Sequence, residues 1–185
     1  WYQDYTLFIS RLGYTGEDGF EISVPAENAE HIWNKLLSDE RVKPIGLAAR
    51  DSLRLEMGYC LYGHDIDATT TPLEADLSWV MRKENTPYIG AEKVLPPTRR
   101  RVGIVLMDRG IAREGAEIRN LQDEKIGVLS SGGFSPTLKQ SIGQGYVPME
   151  YAAEGTDFFV NVRGANISAK VSKMPFLKPK TKSGK

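Results

Sequence analysis

Apolar and polar positions in the first part of the chain follow two different periods. Residues 5–12 (YTLFISRL) are apolar and aromatic and predict a strand. Residues 13–19 are glycine-rich with an acidic pair and predict a turn. Phe20, Ile22 and Val24 then alternate with Glu21 and Ser23, a second strand at period two, so the two strands are expected to form a hairpin. Residues 26–38 change to helical spacing: Ala29, Ile32, Trp33, Leu36 and Leu37 form one stripe, predicted to be buried. Pro25 suits the first turn of that helix, and Glu27 and Glu30 suit the positive end of its dipole. Residues 46–57 (GLAARDSLRLEM) predict a second helix, stopped by Gly58. Arg50 and Arg54, four residues apart, share a face of it.

Beyond Gly58 the periodicity fades. Residues 59–75 read as a long polar loop, and a strand is expected around Leu77 to Met81. Residues 84–97 are rich in breakers and end in Pro96-Pro97, where a domain boundary is placed. After it come six short apolar runs, at 101–107, 116–120, 125–131, 142–147, 157–163 and 167–173, with Gly, Asn, Asp or Pro at nearly every junction. That spacing predicts a small antiparallel barrel or sandwich. The fold class is therefore α+β, with an α+β region over 1–95, a β-domain over 99–177 and a basic tail, 178–185, expected to fray.

Charge sharpens that boundary. Residues 1–98 carry 9 Lys and Arg against 16 Asp and Glu, and residues 99–185 carry 15 against 8, within a total net charge of zero. With 41% apolar and 26% charged residues over 185 positions, the composition is that of a globular protein and excludes a disordered tail, a coiled coil or collagen. No apolar run approaches the ~20 residues of a membrane-crossing helix. Cys60 is the only cysteine, which excludes an internal disulfide framework and a cysteine zinc site. The chain starts at Trp1 in residues that already look like strand, so it is expected to be part of something longer.

Four residues stand out chemically. Glu21 lies on the polar side of an apolar strand after a glycine-rich turn; a carboxylate there can accept two parallel hydrogen bonds from a planar amidine-type edge such as a pterin offers, or it can be a solvated strand face. Arg50 can hold a carboxylate or ring carbonyl in planar geometry, or can pair with Glu56 or Asp51. Tyr14 and Tyr59 flank these positions with faces that stack on flat heterocycles or pack in a core. Other motifs read as structural. His64-Asp65-Ile66-Asp67 lacks a second metal-ligating cluster and reads as a turn or cap. The stretches 110–115 and 130–133 (SSGG) read as hairpin turns, not phosphate cradles, because no strand–loop–helix context surrounds them. Arg99-Arg100-Arg101 has no interleaved aromatics and reads as a solvated linker, not a nucleic-acid patch.

The strings GYTGEDGFEI (13–22), GLAARDSLRLEM (46–57), CLYGHDID (60–67), TTPLEADLSW (70–79), IGVLSSGGFSP (126–136), GQGYV (143–147) and SKMPF (172–176) occur in this order. Together they resemble the C-terminal half of the glycine cleavage system T-protein family, the aminomethyltransferases, over nearly all of residues 5–177. The resemblance implies the later part of a folate-binding α+β region followed by a C-terminal antiparallel β-barrel. It implies a tetrahydrofolate enzyme that takes an aminomethyl group from the lipoyl arm of H-protein, releases ammonia and forms 5,10-methylenetetrahydrofolate. Glu21 takes the position of the family's pterin-binding Glu, with Tyr14 opening the same string; Arg50 takes that of its folate-contacting Arg, and Tyr59 that of a Tyr some members carry. The family's catalytic Asp belongs to the N-terminal half, so no catalytic residue is expected here. The tail's charged residues are all lysines, so the family's folate-contacting tail Arg or Tyr has at most Lys178 in its place. The resemblance further implies an intracellular setting, cytoplasmic in a bacterium or the mitochondrial matrix in a eukaryote, with lipoylated H-protein as partner and neither nucleic acid nor membrane. The alternatives are the folate-binding end of a dimethylglycine or sarcosine dehydrogenase, discriminated by an upstream flavin-binding GxGxxG, and a non-catalytic folate- or protein-binding module. A folate-binding tRNA-modification relative is disfavoured, because residues 58–65 (GYCLYGHD) lack its K-G-C-x-x-G-Q-E string.

Overall fold

The computed structural model describes residues 6–81 and 88–181. Expectations for the chain's first five residues, for 84–87 and for 182–185 lie outside the described residues. The expected hairpin is present: β1 (Phe8–Ser10) pairs antiparallel with β2 (Glu21–Ser23), Ile9 opposite Ile22. A short 3-10 turn at Ala26–Asn28 leads into α1 (Ala29–Leu37). The stripe of α1 is less buried than its spacing predicts. Only Ile32 is buried, while Trp33 and Leu36 are 52% and 43% exposed, and Phe8 and Phe20 of the hairpin region are exposed too. Helical period reports which face is apolar; burial needs a partner, and among the described residues Trp33 and Leu36 of this face stay exposed.

α2 (Leu47–Glu56) ends as predicted at Gly58. Gly58 adopts φ 64°, its N–H bonds the carbonyl of Leu55 at 2.9 Å, and the Tyr59 N–H bonds the carbonyl of Arg54 at 3.0 Å. This is a Schellman cap, in which a left-handed residue satisfies the last carbonyls of a helix. A Cβ at Gly58 would also lie 2.9 Å from the Met174 side chain, so the position excludes larger residues twice over.

Six strands form a closed antiparallel barrel: β3 (Arg99–Leu106), β4 (Glu117–Arg119), β5 (Lys125–Ser135), β6 (Gln140–Pro148), β7 (Asp157–Val162) and β8 (Ala165–Ser172), in the order β3-β6-β5-β4-β7-β8. Closure leaves no free sheet edge. The core lies inside the barrel, with Ile104, Leu106, Ile118, Leu129, Phe158 and Val160 almost fully buried.

Five expectations are corrected. Ser130 to Gly133 is not a turn but the middle of β5. The pairing of β5 with β6 shifts register between Leu129 and Ser131, so Ser130 is an extra residue. This bulge lets Leu129 face the core and Ser131 face α2, although they are two residues apart. Residues 110–115 join β3 to β4, which are not neighbours in the barrel, so they are a crossing connection and not a hairpin turn. Arg99 to Arg101 is not a solvated linker but the start of β3. Arg99 pairs with Glu74 at 2.8 Å and Arg100 with Asp76 at 2.5 Å, while Arg101 is buried with its Nε donating to the carbonyl of Ala75 at 2.8 Å. The charge switch along the chain is thus a contact, a basic strand laid against an acidic segment. Finally, residues 78–80 form a 3-10 turn and not a strand, and the tail is docked at Lys180, whose N–H bonds the carbonyl of Gly16 at 2.8 Å and whose Nζ meets Glu17 at 3.0 Å.

Candidate functional site

The hairpin, the end of α2 and the barrel wall meet around two tyrosines. Tyr14 sits in the glycine-rich turn after β1, and Tyr59 follows the cap of α2. Their rings stack with centroids 5.6 Å apart and 19° between planes. The Arg50 guanidinium, from α2, lies 5.0 Å from the Tyr14 ring centroid, a cation–π contact. Arg50 therefore pairs with neither Glu56 nor Asp51. The Tyr14 hydroxyl donates to the carbonyl of Cys60. Beside the rings runs an open groove of about 420 Å³, lined by Tyr14, Tyr59, Leu77, Trp79, Arg101 and Met174. An apolar groove with two stacked aromatics and few charges suits a flat ring ligand. Glu21 is on β2, exposed, and among the described residues its carboxylate makes no side-chain hydrogen bond or ion pair. The structure thus brings Tyr14, Tyr59 and Arg50 together and leaves the Glu21 carboxylate open on the adjoining hairpin.

Sequence reasoning did not foresee what holds this arrangement. Two charged side chains of α2 are buried and turned toward the barrel. Arg54, 4% exposed, donates to Asp51 at 2.8 Å, to Asp65 at 2.8 Å, to the Ser131 hydroxyl at 3.0 Å and to the carbonyl of Tyr59 at 3.3 Å. Asp65, from the loop read as a turn, also accepts from Ser131 at 2.9 Å, Ser130 at 2.5 Å and the Leu61 N–H at 2.9 Å. Burial alone would lower the Arg54 pKa; the Asp51 hydrogen bond and the charges of Asp65 and Asp51 overcome it, and the value is raised. Glu56 accepts from the hydroxyls of Ser135 at 2.5 Å and Thr137 at 3.1 Å. Of the rest of the HDID stretch, Asp67 serves the turn, accepting from Thr69 N–H at 2.8 Å, whereas His64 pairs with Glu114, 50 residues on, at 2.7 Å. Among the described residues, no group of three or more His, Cys, Asp and Glu is placed to hold a metal.

Burial raises the pKa of Tyr14 and the Cys60 thiol and pushes Tyr146 up to about 12. The Tyr146 hydroxyl donates to the carbonyl of Asp65 at 2.7 Å. Because its folded value lies above the ordinary value of about 10, the neutral phenol stabilises the fold below about pH 10, and that contribution is lost as pH rises through 12. Thermal stability is expected to fall between those two values, with part of the fall absent from Tyr146→Phe; equal alkaline loss in both proteins would remove Tyr146 as its cause.

Comparisons with known proteins agree with this fold. Residues 2–85 match the family described as "GCVT N-terminal domain", and residues 99–178 match "Glycine cleavage T-protein C-terminal barrel domain". The aminomethyltransferase of Bacteroides thetaiotaomicron is 46% identical over 181 residues, covering 93% of this chain and 50% of that protein. The human mitochondrial aminomethyltransferase is 47% identical over 177 residues, covering 91% of this chain and 44% of that protein. The crystal structure of the glycine cleavage system aminomethyltransferase T from Bartonella henselae superposes with a TM-score of 0.89 at 44% identity, over 94% of this chain and 50% of that one. The chain spans about half the length of the relatives it matches. Among its described residues, no helix is long and apolar enough to cross a membrane. With both of its parts matched in order to the two domains of one family, and its second part a closed barrel, the chain belongs to the glycine cleavage T-protein family of aminomethyltransferases.

Proposed function

We propose that this chain supplies the folate-binding face and the C-terminal barrel of an enzyme that takes the aminomethyl group from the lipoyl arm of H-protein, releases ammonia and passes the carbon to tetrahydrofolate. The observation that carries the reading is the stacked Tyr14–Tyr59 pair with Arg50 over it, beside an open groove. Residues 1–95 would be the folate-binding part and 99–177 the barrel domain. In this reading tetrahydrofolate accepts the one-carbon unit. The tyrosines hold its ring by stacking, Arg50 meets a polar group at its edge, and Glu21 accepts the paired hydrogen bonds of the pterin amidine. Holding the ring in one orientation is a rate advantage in itself, because the acceptor nitrogen then waits where the carbon arrives. The exposed apolar face of β1, β2 and α1 would be covered by the remaining part of a family-length polypeptide, which would also bring the catalytic Asp. The setting follows that of the relatives, bacterial cytoplasm or mitochondrial matrix.

Calorimetric titration with tetrahydrofolate tests this. Glu21→Gln removes charge-assisted hydrogen bonds and is expected to weaken binding by ~1–3 kcal/mol, roughly 5- to 150-fold in dissociation constant. An unchanged constant would take Glu21 out of the site, and no binding by the unsubstituted chain would count against the folate reading itself.

A further inference from the structure

We infer that Gln144 of the barrel is a positioning residue for the Tyr59 ring, so that the barrel wall sets the geometry of the stacking face; this rests on the reading that Tyr14 and Tyr59 stack on the ligand. After the Schellman cap of α2, three consecutive carbonyls accept side-chain hydrogen bonds. Gly58 accepts from Arg101 Nη1 at 2.9 Å. Tyr59 accepts from Gln144 Nε2 at 3.2 Å and from Arg54 Nη1 at 3.3 Å. Cys60 accepts from the Tyr14 hydroxyl. Two of these donors, Arg101 on β3 and Gln144 on β6, belong to the barrel. Their partners lie 43 and 85 residues away in sequence.

Gln144 is fully buried, and its amide has one permitted orientation. Arg101 Nη1 donates to Gln144 Oε1 at 2.5 Å. A guanidinium has no acceptor, so the amide oxygen must face Arg101 and the amide NH₂ must face the Tyr59 carbonyl. The buried cation on β3 thereby sets the direction of the donor on β6, and that donor grips the peptide that follows the Tyr59 Cα. The Tyr59 N–H is already engaged by the Arg54 carbonyl at 3.0 Å. With both of its peptides held, the backbone of Tyr59 has little freedom, which fixes the direction of its Cα–Cβ bond and limits the rotamers open to the ring. Tyr14 is tied through its hydroxyl to the very next carbonyl. The 5.6 Å stack is thus assembled from the barrel side and not by the two rings alone.

The link can be cut without removing the partner that Arg101 needs. Gln144→Glu keeps an acceptor for Arg101 but presents a carboxylate oxygen, not a donor, to the Tyr59 carbonyl. The nuclear Overhauser effects between the Tyr14 and Tyr59 rings are expected to vanish, with a rise of about tenfold in the tetrahydrofolate dissociation constant, the scale of one buried hydrogen bond. The unfolding temperature should change little, which separates positioning from a purely structural role. If Gln144→Glu fails to fold, Gln144→Met, which keeps the volume and removes both hydrogen bonds, should show the same two effects. Ring-to-ring Overhauser effects and affinity both unchanged in a folded variant would overturn the inference. Overhauser effects abolished by the substitution in a chain that binds no folate would support it while removing the folate reading.

Discussion

Asp65→Ala is expected to lower the unfolding free energy by ~3–5 kcal/mol, a fall of about 10 °C in Tm for a chain of this size. The reason is asymmetry. Asp65 and Arg54 are both almost fully buried, and every polar contact of the Asp65 carboxylate is satisfied: Arg54, two serine hydroxyls and a backbone N–H converge on it. A buried ion pair contributes little net stability when intact, because desolvation offsets attraction. Removing one member leaves the other charged and poorly solvated, and that is what costs. Arg54 would keep Asp51, whose side chain is 54% exposed and so a weaker partner. A companion variant separates the two effects. Arg54→Met with Asp65→Leu replaces both charges by apolar groups and should lose less than Asp65→Ala alone. A loss below about 1 kcal/mol for Asp65→Ala, read by thermal or urea unfolding, would show that water reaches Arg54 and that the pair is not buried in solution.

The same pair shows what was and was not legible in the sequence. The hairpin, both helices and the six barrel strands were legible because each is written in a local period: two for β2, 3.6 for α1 and α2, and short apolar runs between turn residues for the barrel. Gly58 as the end of α2 was legible for the same reason. The charged residues of α2 were not. Arg54 and Glu56 are charged residues that carry no local sign of burial, and their partners Ser131 and Ser135 lie 77 and 79 residues on. Those two serines sit four residues apart on β5. Ser130 to Gly133 misled for a related reason. Serine and glycine are turn formers locally, but β5 needs small residues where it meets β6, Ala112 and α2, and tertiary pairing overrides local preference. Arg101 was invisible as a core residue because its acceptors, the carbonyls of Gly58 and Ala75 and the Gln144 side chain, come from three separate segments.

The candidate site divides along the same line. Tyr14, Arg50 and Tyr59 were nameable from strings of a dozen residues or fewer, and the structure places their side chains together. Their support was not nameable. It is supplied by Arg54, Asp65, Arg101 and Gln144, residues that belong to the joint between the two parts of the chain. The charge switch near residue 98, read as a boundary, is therefore also where the two parts are fastened, with Arg99, Arg100 and Arg101 all held by residues 74–76.

The second large effect is expected at Gly127→Ala, a single methyl group at the waist of the barrel. A Cβ there would lie 2.1 Å from the carbonyl oxygen of Tyr146, and one at Gly145 would lie 2.4 Å from that of Val128. Gly145 pairs with Leu129 of β5 just before the bulge at Ser130, and Gly127, opposite Ile118 of β4, lies one residue before the first β5–β6 pair, Val128 with Tyr146. The obstructing atom is main chain, so no side-chain rotation relieves the contact. Either the β5–β6 ladder opens or the strands part, and each route exposes the core around Ile118 and Leu129. The cost is expected to reach or exceed ~3 kcal/mol, the upper end of ordinary overpacking. It should appear in thermal unfolding as a loss comparable to that of Asp65→Ala. Amide exchange should accelerate along β5 and β6 before it does along β7 and β8, because the damage is local to one pair of a closed ring. Exchange that quickens evenly around all six strands, or a stability within about 1 kcal/mol of the parent, would mean that the two strands do not approach this closely in solution.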